Sequence, residues 1–177
     1  MKTLAEKRVF TYKDIARLPG GNYEIIDGER HDMTPTGFEH GSLEARLGEL
    51  LRGHLKDKGH VAVGEVGVLI KREPLRIRAA DVVYLSKGKS PERPKGILEI
   101  PPDLIIEIIS ESNTASEITE KVKDYLSIGV GRIILIDPLT ETSSIYRKDR
   151  KEALMCDFDE DIELIEGLRV KVKDLLS

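Results

Sequence analysis

Two acidic residues stand where the surrounding sequence predicts buried strand. Glu107 interrupts the run Leu104-Ile105-Ile106-Glu107-Ile108-Ile109, whose near-continuous isoleucines read as a strand covered on both faces. An unpaired charge in such a place costs roughly several kcal/mol, so this carboxylate needs a proton, an ion-pair partner or a metal. Asp81 opens a second run of similar character, Asp81-Val82-Val83-Tyr84-Leu85. Two carboxylates on nearby strands suit a hard divalent cation, because magnesium commonly takes one or two protein carboxylates and keeps waters or phosphate oxygens in its other positions. Such a cation, Mg2+ or Mn2+, lowers the pKa of bound water and stabilises charge on a phosphoryl oxygen. Asp81 and Glu107 are therefore candidate metal ligands and candidate catalytic residues together.

A cation from the protein itself is expected close by. Beyond the Glu107 strand, Thr114-Ala115-Ser116-Glu117 has the spacing of a capping box, and Ile118, Val122, Tyr125 and Leu126 continue as an apolar helical stripe. At about 100° per residue, Lys121 flanks that stripe whereas Lys123 points away from it. Lys121 is thus the candidate to orient an attacking water or to neutralise charge developing on phosphorus. Ser110 reads first as a loop or capping residue, with a hydroxyl that could also touch a phosphate. Each residue has a plainer reading as well: Glu107 in a structural ion pair, Asp81 at a strand end, Lys121 on a solvated helix face.

The elements that must position these groups follow from the pattern. Tyr23 to Glu29 reads as a hairpin turning at Asp27-Gly28. From Glu39 to Lys58 the period is helical, with Leu43, Leu47, Leu50, Leu51 and His54 on one side and Gly59 as the stop. Extended segments are expected from Val61 to Lys71, Ala80 to Leu85 and Leu104 to Ile109, the last placing Ile105, Glu107 and Ile109 on one face. Gly64-Glu65-Val66-Gly67 suggests a bend or bulge, and Ser86 to Pro102 a surface loop. The helix after Thr114 ends near Gly129, Arg132 to Asp137 forms another buried strand, and Ser144 to Arg147 and Ile162 to Val172 add strand-like pieces, the latter broken at Glu166-Gly167. The fold class is α/β in the mixed α+β sense, a central mixed sheet flanked by helices with additional N- and C-terminal strands.

Composition narrows the class further. A chain of 177 residues suits one domain spanning residues 1–177. Its net charge of -4, with both signs interspersed, argues against a polybasic nucleic-acid tail while leaving room for a local basic patch at Lys71, Arg72, Arg76, Arg78, Lys87 and Lys89. Cys156 stands alone, which excludes an internal disulfide framework and a cysteine-rich zinc site. The opening Met-Lys-Thr-Leu-Ala-Glu-Lys-Arg lacks a signal-peptide core, and no apolar run reaches the roughly 20 residues of a membrane span. A cytoplasmic protein is expected, without membrane partners. The four histidines lack H-E-x-x-H spacing, and neither a G-x-x-x-x-G-K-[ST] loop nor a G-x-S-x-G elbow occurs. Asp137 at a strand end reads as an ordinary turn residue.

An acid opening one strand, a Glu in the next and a nearby lysine, in the order helix-strand-strand-strand-helix-strand, resemble the PD-(D/E)XK nuclease superfamily. More closely, Tyr23-Glu24-x-x-Asp27-Gly28-Glu29, His40, Asp81-Val82, Glu107-Ile108-Ile109-Ser110, Lys121-x-x-x-Tyr125, Gly129-Val130 and Asp137-Pro138 resemble the Uma family of restriction endonucleases. The resemblance implies a restriction-endonuclease-like core, a DNA substrate cut with a carboxylate-bound Mg2+ or Mn2+, and a homodimer. It adds Glu24 and His40 to Ser110 as second-tier site residues, although Glu24 alone reads as an exposed hairpin acid and His40 as a core histidine. Ala80 replaces the superfamily proline, and Ile109 occupies the place of the expected lysine, which the family pattern supplies from the following helix as Lys121. The alternative is a nuclease-like dimeric interaction module without turnover.

Overall fold

The computed structural model describes residues 9–176; the eight-residue opening judged above for a signal sequence lies outside them. Two long strands, β3 (Gly59–Arg72) and β4 (Leu75–Ser86), organise the sheet and pair antiparallel from Gly59 opposite Ser86 to Arg72 opposite Leu75. β4 starts earlier than expected because Leu75, Ile77 and Ala79 are buried, while the intervening Arg76 and Arg78 mask the strand in the sequence. Around this pair lie β1 (Tyr23–Ile26), β2 (Glu29–Asp32), β5 (Leu104–Ile108), β6 (Arg132–Asp137), β7 (Thr142–Arg147) and β8 (Leu154–Asp157). The eight-stranded sheet runs β2-β1-β4-β5-β6-β7-β8, with β3 also on β4. The β1–β2 turn places Asp27 at φ 51 and Gly28 at φ 86, the two positive angles that an Asp-Gly turn supplies.

Among the described residues β5 and β6 form the parallel pair of this sheet, joined by helix α2 (Ala115–Ser127) as parallel strands require a crossover. The expected capping box starts α2: the Glu117 N–H donates to Thr114 Oγ1 at 3.2 Å and the Thr114 N–H to Glu117 Oε2 at 2.8 Å. Helix α1 (Phe38–Leu55) buries Leu43, Leu47, Leu51 and Leu55 against Val82, Leu104, Ile106, Ile108 and Ile134. α2 covers the opposite face, where Val122 and Tyr125 pack with Val83, Ile105, Ile133 and Leu135. β5 therefore sits between the helices with alternate side chains facing each, as its period of two predicts.

Two glycines adjust this packing. A Cβ on Gly48 would stand 2.8 Å from the Val63 side chain, so glycine lets α1 approach β3 closely. Gly59 does not stop α1, which ends at Leu55 with Lys56 at φ 44; it opens β3 with extended backbone, where a Cβ would collide with the Tyr84 ring and the Leu85 carbonyl. The C-terminal segment forms a hairpin of β9 (Asp161–Ile165) and β10 (Leu168–Lys171), whose Ile162 and Leu164 join the α1-side core.

Candidate functional site

The antiparallel register of β4 and β5, with Val82 opposite Ile106, brings Asp81 to the level of Glu107. Asp81 Oδ2 accepts the Ile108 N–H at 2.7 Å, so the side chain supplies a bond at the end of the backbone ladder. Glu107 is 5% exposed, and each of its oxygens is met by α2: Lys121 Nζ donates to Oε2 at 2.7 Å and the Tyr125 hydroxyl to Oε1 at 2.6 Å. Residues 121 and 125 are one helical turn apart and share a face, so a single helix delivers both donors. Burial pushes the Glu107 carboxyl up to about 8 against the opposing pull of Lys121. Burial works against the Lys121 ammonium, but Glu107 and Glu24 outweigh it and raise its pKa. The cation missing at Ile109 thus returns from the next helix.

On the other side of Asp81, α1 brings His40 and Glu44. His40 Nε2 lies 3.2 Å from Glu44 Oε1 and 3.4 Å from Asp81 Oδ2, and one ligand atom from each residue falls within 4.8 Å of the others. Neither His40 Nε2 nor Glu44 Oε1 has a hydrogen-bond partner of acceptable geometry, although both atoms are buried. Asp81 and then Glu44 raise the His40 pKa to about 10 despite burial. Imidazole nitrogen and carboxylate oxygen both ligate first-row divalent metals, so the donor set fits such a cation. Glu107 is outside this triad, its oxygens taken by Lys121 and Tyr125.

Glu65 is a further acid that the sequence reading passed over. The bulge expected at Gly64-Glu65 is real: pairing shifts between Val63 and Val66, with Gly64 at φ 84 and Glu65 at φ 51. A left-handed angle at a non-glycine residue is uncommon, and bulges of this kind re-aim side chains beside active sites. The Glu65 Oε2 atom is buried without a hydrogen-bond partner. Burial lifts its carboxyl to about 7, and the Asp81 charge adds to the shift, which sets it in the same electrostatic environment. The sequence signal was the Gly-Glu pair itself; Glu44, by contrast, was hidden among the acids of an ordinary helix.

Glu24 is a network residue rather than an exposed hairpin acid. Its Oε1 accepts the Ala79 N–H at 3.0 Å and lies 3.5 Å from Lys121 Nζ, while Oε2 accepts from Arg78 at 2.8 Å. Arg78, 5% exposed, also reaches Asp124 at 2.6 Å and Glu120 at 3.0 Å. Arg76 pairs with Asp27, Glu120 and Asp124, Arg72 with Glu99 and Lys89 with Asp103. Of the basic rim expected from the sequence, Arg76 and Arg78 are therefore committed inside the protein, Arg72 and Lys89 are exposed but paired with acids, and Lys71 and Lys87 are exposed. Ser110 turns inward on its own loop, with its hydroxyl 2.9 Å from Ser112 Oγ and 3.0 Å from Asn113 Oδ1. Asp137 is the turn acceptor expected, taking the Leu139 N–H at 3.0 Å.

This mixed α/β arrangement recurs in a solved structure. A crystal structure described as "a putative nuclease belonging to DUF820", from Anabaena variabilis, matches with a TM-score of 0.80 at 21% sequence identity, covering 94% of this chain and 97% of that one. Residues 11–173 match the model of the Uma2 family, described as "Putative restriction endonuclease", and the chain belongs to that family. No curated protein matches it.

Proposed function

We propose that this protein is a metal-dependent endodeoxyribonuclease that hydrolyses DNA phosphodiester bonds at the Asp81–Glu107–Lys121 centre. The observation that carries the reading is the Lys121 ammonium 2.7 Å from Glu107, on a strand paired to the one bearing Asp81, in a chain of the Uma2 family. Asp81 and Glu107 would hold Mg2+ or Mn2+, which when bound activates water and stabilises charge on a phosphoryl oxygen. Lys121 orients the attacking water and balances the negative charge that grows on phosphorus as the P–O bond to the leaving oxygen breaks. Glu24 and Arg78 hold the lysine from behind, and Tyr125 fixes the Glu107 carboxylate. Lys71 and Lys87 offer exposed positive charge for DNA phosphates.

A homodimer belongs to this reading, supported by the outer edge of β3 from residues 59 to 66, which has no strand partner among the described residues. The second reading, a nuclease-like interaction module, is favoured by one observation: both Glu107 oxygens are already satisfied by protein donors. Incubating the pure protein with supercoiled plasmid in Mg2+ or Mn2+ separates the two. The nuclease reading expects relaxed and linear products that disappear with chelator and in Asp81→Ala and Glu107→Ala. Cutting that persists undiminished in both variants contradicts it, and absent Mg2+ or Mn2+ binding by calorimetry together with a stable dimer favours the module.

A further inference from the structure

The His40–Glu44–Asp81 cluster has features that a purely structural ion pair does not explain. Glu44 is 8% exposed, yet its Oε1 has no hydrogen-bond partner, and neither has the facing His40 Nε2. Leaving a buried acceptor unsatisfied costs about 1–3 kcal/mol; the 3.2 Å contact is an ion pair only while the imidazole is protonated, and with a neutral imidazole the two atoms leave a place for a third body. Their spacing fits a cation. Ligands on adjacent corners of an octahedron with bonds of about 2.1 Å stand about 3 Å apart, and His40 Nε2 lies 3.2 Å from Glu44 Oε1 and 3.4 Å from Asp81 Oδ2. The placement is built by the fold: His40 and Glu44 are one turn apart on α1, and the missing side chain at Gly48 lets that helix close on the sheet.

We propose that His40 and Glu44 complete the cation site with Asp81, and that the His40 imidazole makes the site select Mn2+ over Mg2+. The inference rests on the metal-dependent reading above and deepens it. Mg2+ takes oxygen donors and gives up its waters reluctantly, whereas imidazole is a ligand of the first-row transition metals. A shell that adds one nitrogen to carboxylate oxygens therefore discriminates between two ions of equal charge. Among the described residues His31 is exposed on β2 and His54 and His60 are already engaged, with the Glu166 and Ser90 carbonyls respectively, so His40 is the imidazole available at this centre.

The test is pulsed EPR on the Mn2+-loaded full chain, together with calorimetric titration of Mn2+ and Mg2+. Nitrogen-14 modulation from a directly bound imidazole is expected in the wild type and in His54→Gln, and is absent from His40→Gln. Mn2+ binds at least about tenfold more tightly than Mg2+ in the wild type, and the two affinities converge in His40→Gln. Glu44→Gln, which keeps the helix and the imidazole, retains the modulation but weakens Mn2+ by about tenfold or more. A wild type without nitrogen modulation, modulation that survives in His40→Gln, or equal affinities for the two ions overturns the proposal. Plasmid cutting without nitrogen modulation removes this inference and leaves the nuclease reading in place. Modulation without cutting of any DNA does the reverse.

Discussion

Glu107 is accommodated in the middle of a buried strand because two donors from one helix reach its oxygens, and this can be measured residue by residue. Tyr125→Phe keeps the ring in the core and removes only the hydroxyl, leaving Glu107 Oε1 without its donor at 2.6 Å. Urea denaturation should show a loss of about 1–3 kcal/mol; a change near zero would mean that the bond contributes nothing. Arg78 is the second residue of this kind. It holds Glu24, Glu120 and Asp124 together while only 5% exposed, so Arg78→Met leaves the partly buried Glu24 and Asp124 without this partner and should destabilise by about 1–3 kcal/mol in the same assay. Glu107 and Lys121 were legible in the sequence because burial and helical phase each constrain a single residue. Glu44 and Glu65 were not, since a glutamate on a helix or beside a glycine carries no mark of where its carboxylate ends up. Arg78 misled for a related reason: an alternating arginine in a strand looks solvated until its partners on another helix are seen.

Elements set the aim of these groups. α2 presents Lys121 and Tyr125 together, and its first turn is fixed by the reciprocal Thr114 and Glu117 bonds. Thr114→Ala should cost about 1 kcal/mol of stability. The pH dependence of that difference follows from Glu117, whose carboxyl is held below its ordinary value by the Thr114 N–H and then by the Thr114 hydroxyl. A folded-state pKa below the unfolded one means the unfolded chain binds more protons. The stabilisation is therefore complete above the unfolded value of 4.5 and fades as pH falls through the depressed value. The gap between wild type and Thr114→Ala should narrow in acid, measured by urea unfolding from pH 7 to pH 3, roughly the span in which a glutamate titrates; a constant gap contradicts the assignment. The capping box was legible because its chemistry is local. The first half of β4 was not, because its arginines are neutralised by residues distant in sequence. β8 was also missed, since Leu154 and Met155 are exposed and the four-residue strand shows no buried face strong enough to announce it.

At the scale of the molecule, the candidate site is assembled because one sheet is covered on both faces. α1 supplies His40 and Glu44, α2 supplies Lys121 and Tyr125, and Asp81 and Glu107 stand between them on paired strands. The mixed α/β order and the strand-helix-strand crossover were legible from periodicity, while the juxtaposition of the two helices across β5 is a tertiary fact that no local pattern encodes. The homodimer is tested by sedimentation velocity, which should give twice the monomer mass of 19.8 kDa; a monomer at all concentrations contradicts it. The central claim is that Lys121, reaching Glu107 from α2, does the work of the lysine missing at Ile109. Single-turnover cleavage of plasmid DNA by wild type and Lys121→Gln, both saturated with Mn2+ and held below their unfolding transitions, addresses it directly. The account predicts a rate at least about 100-fold lower in Lys121→Gln, the scale expected for losing one electrostatic contact to a transition state, with Mn2+ affinity not reduced. An unchanged cleavage rate would contradict it.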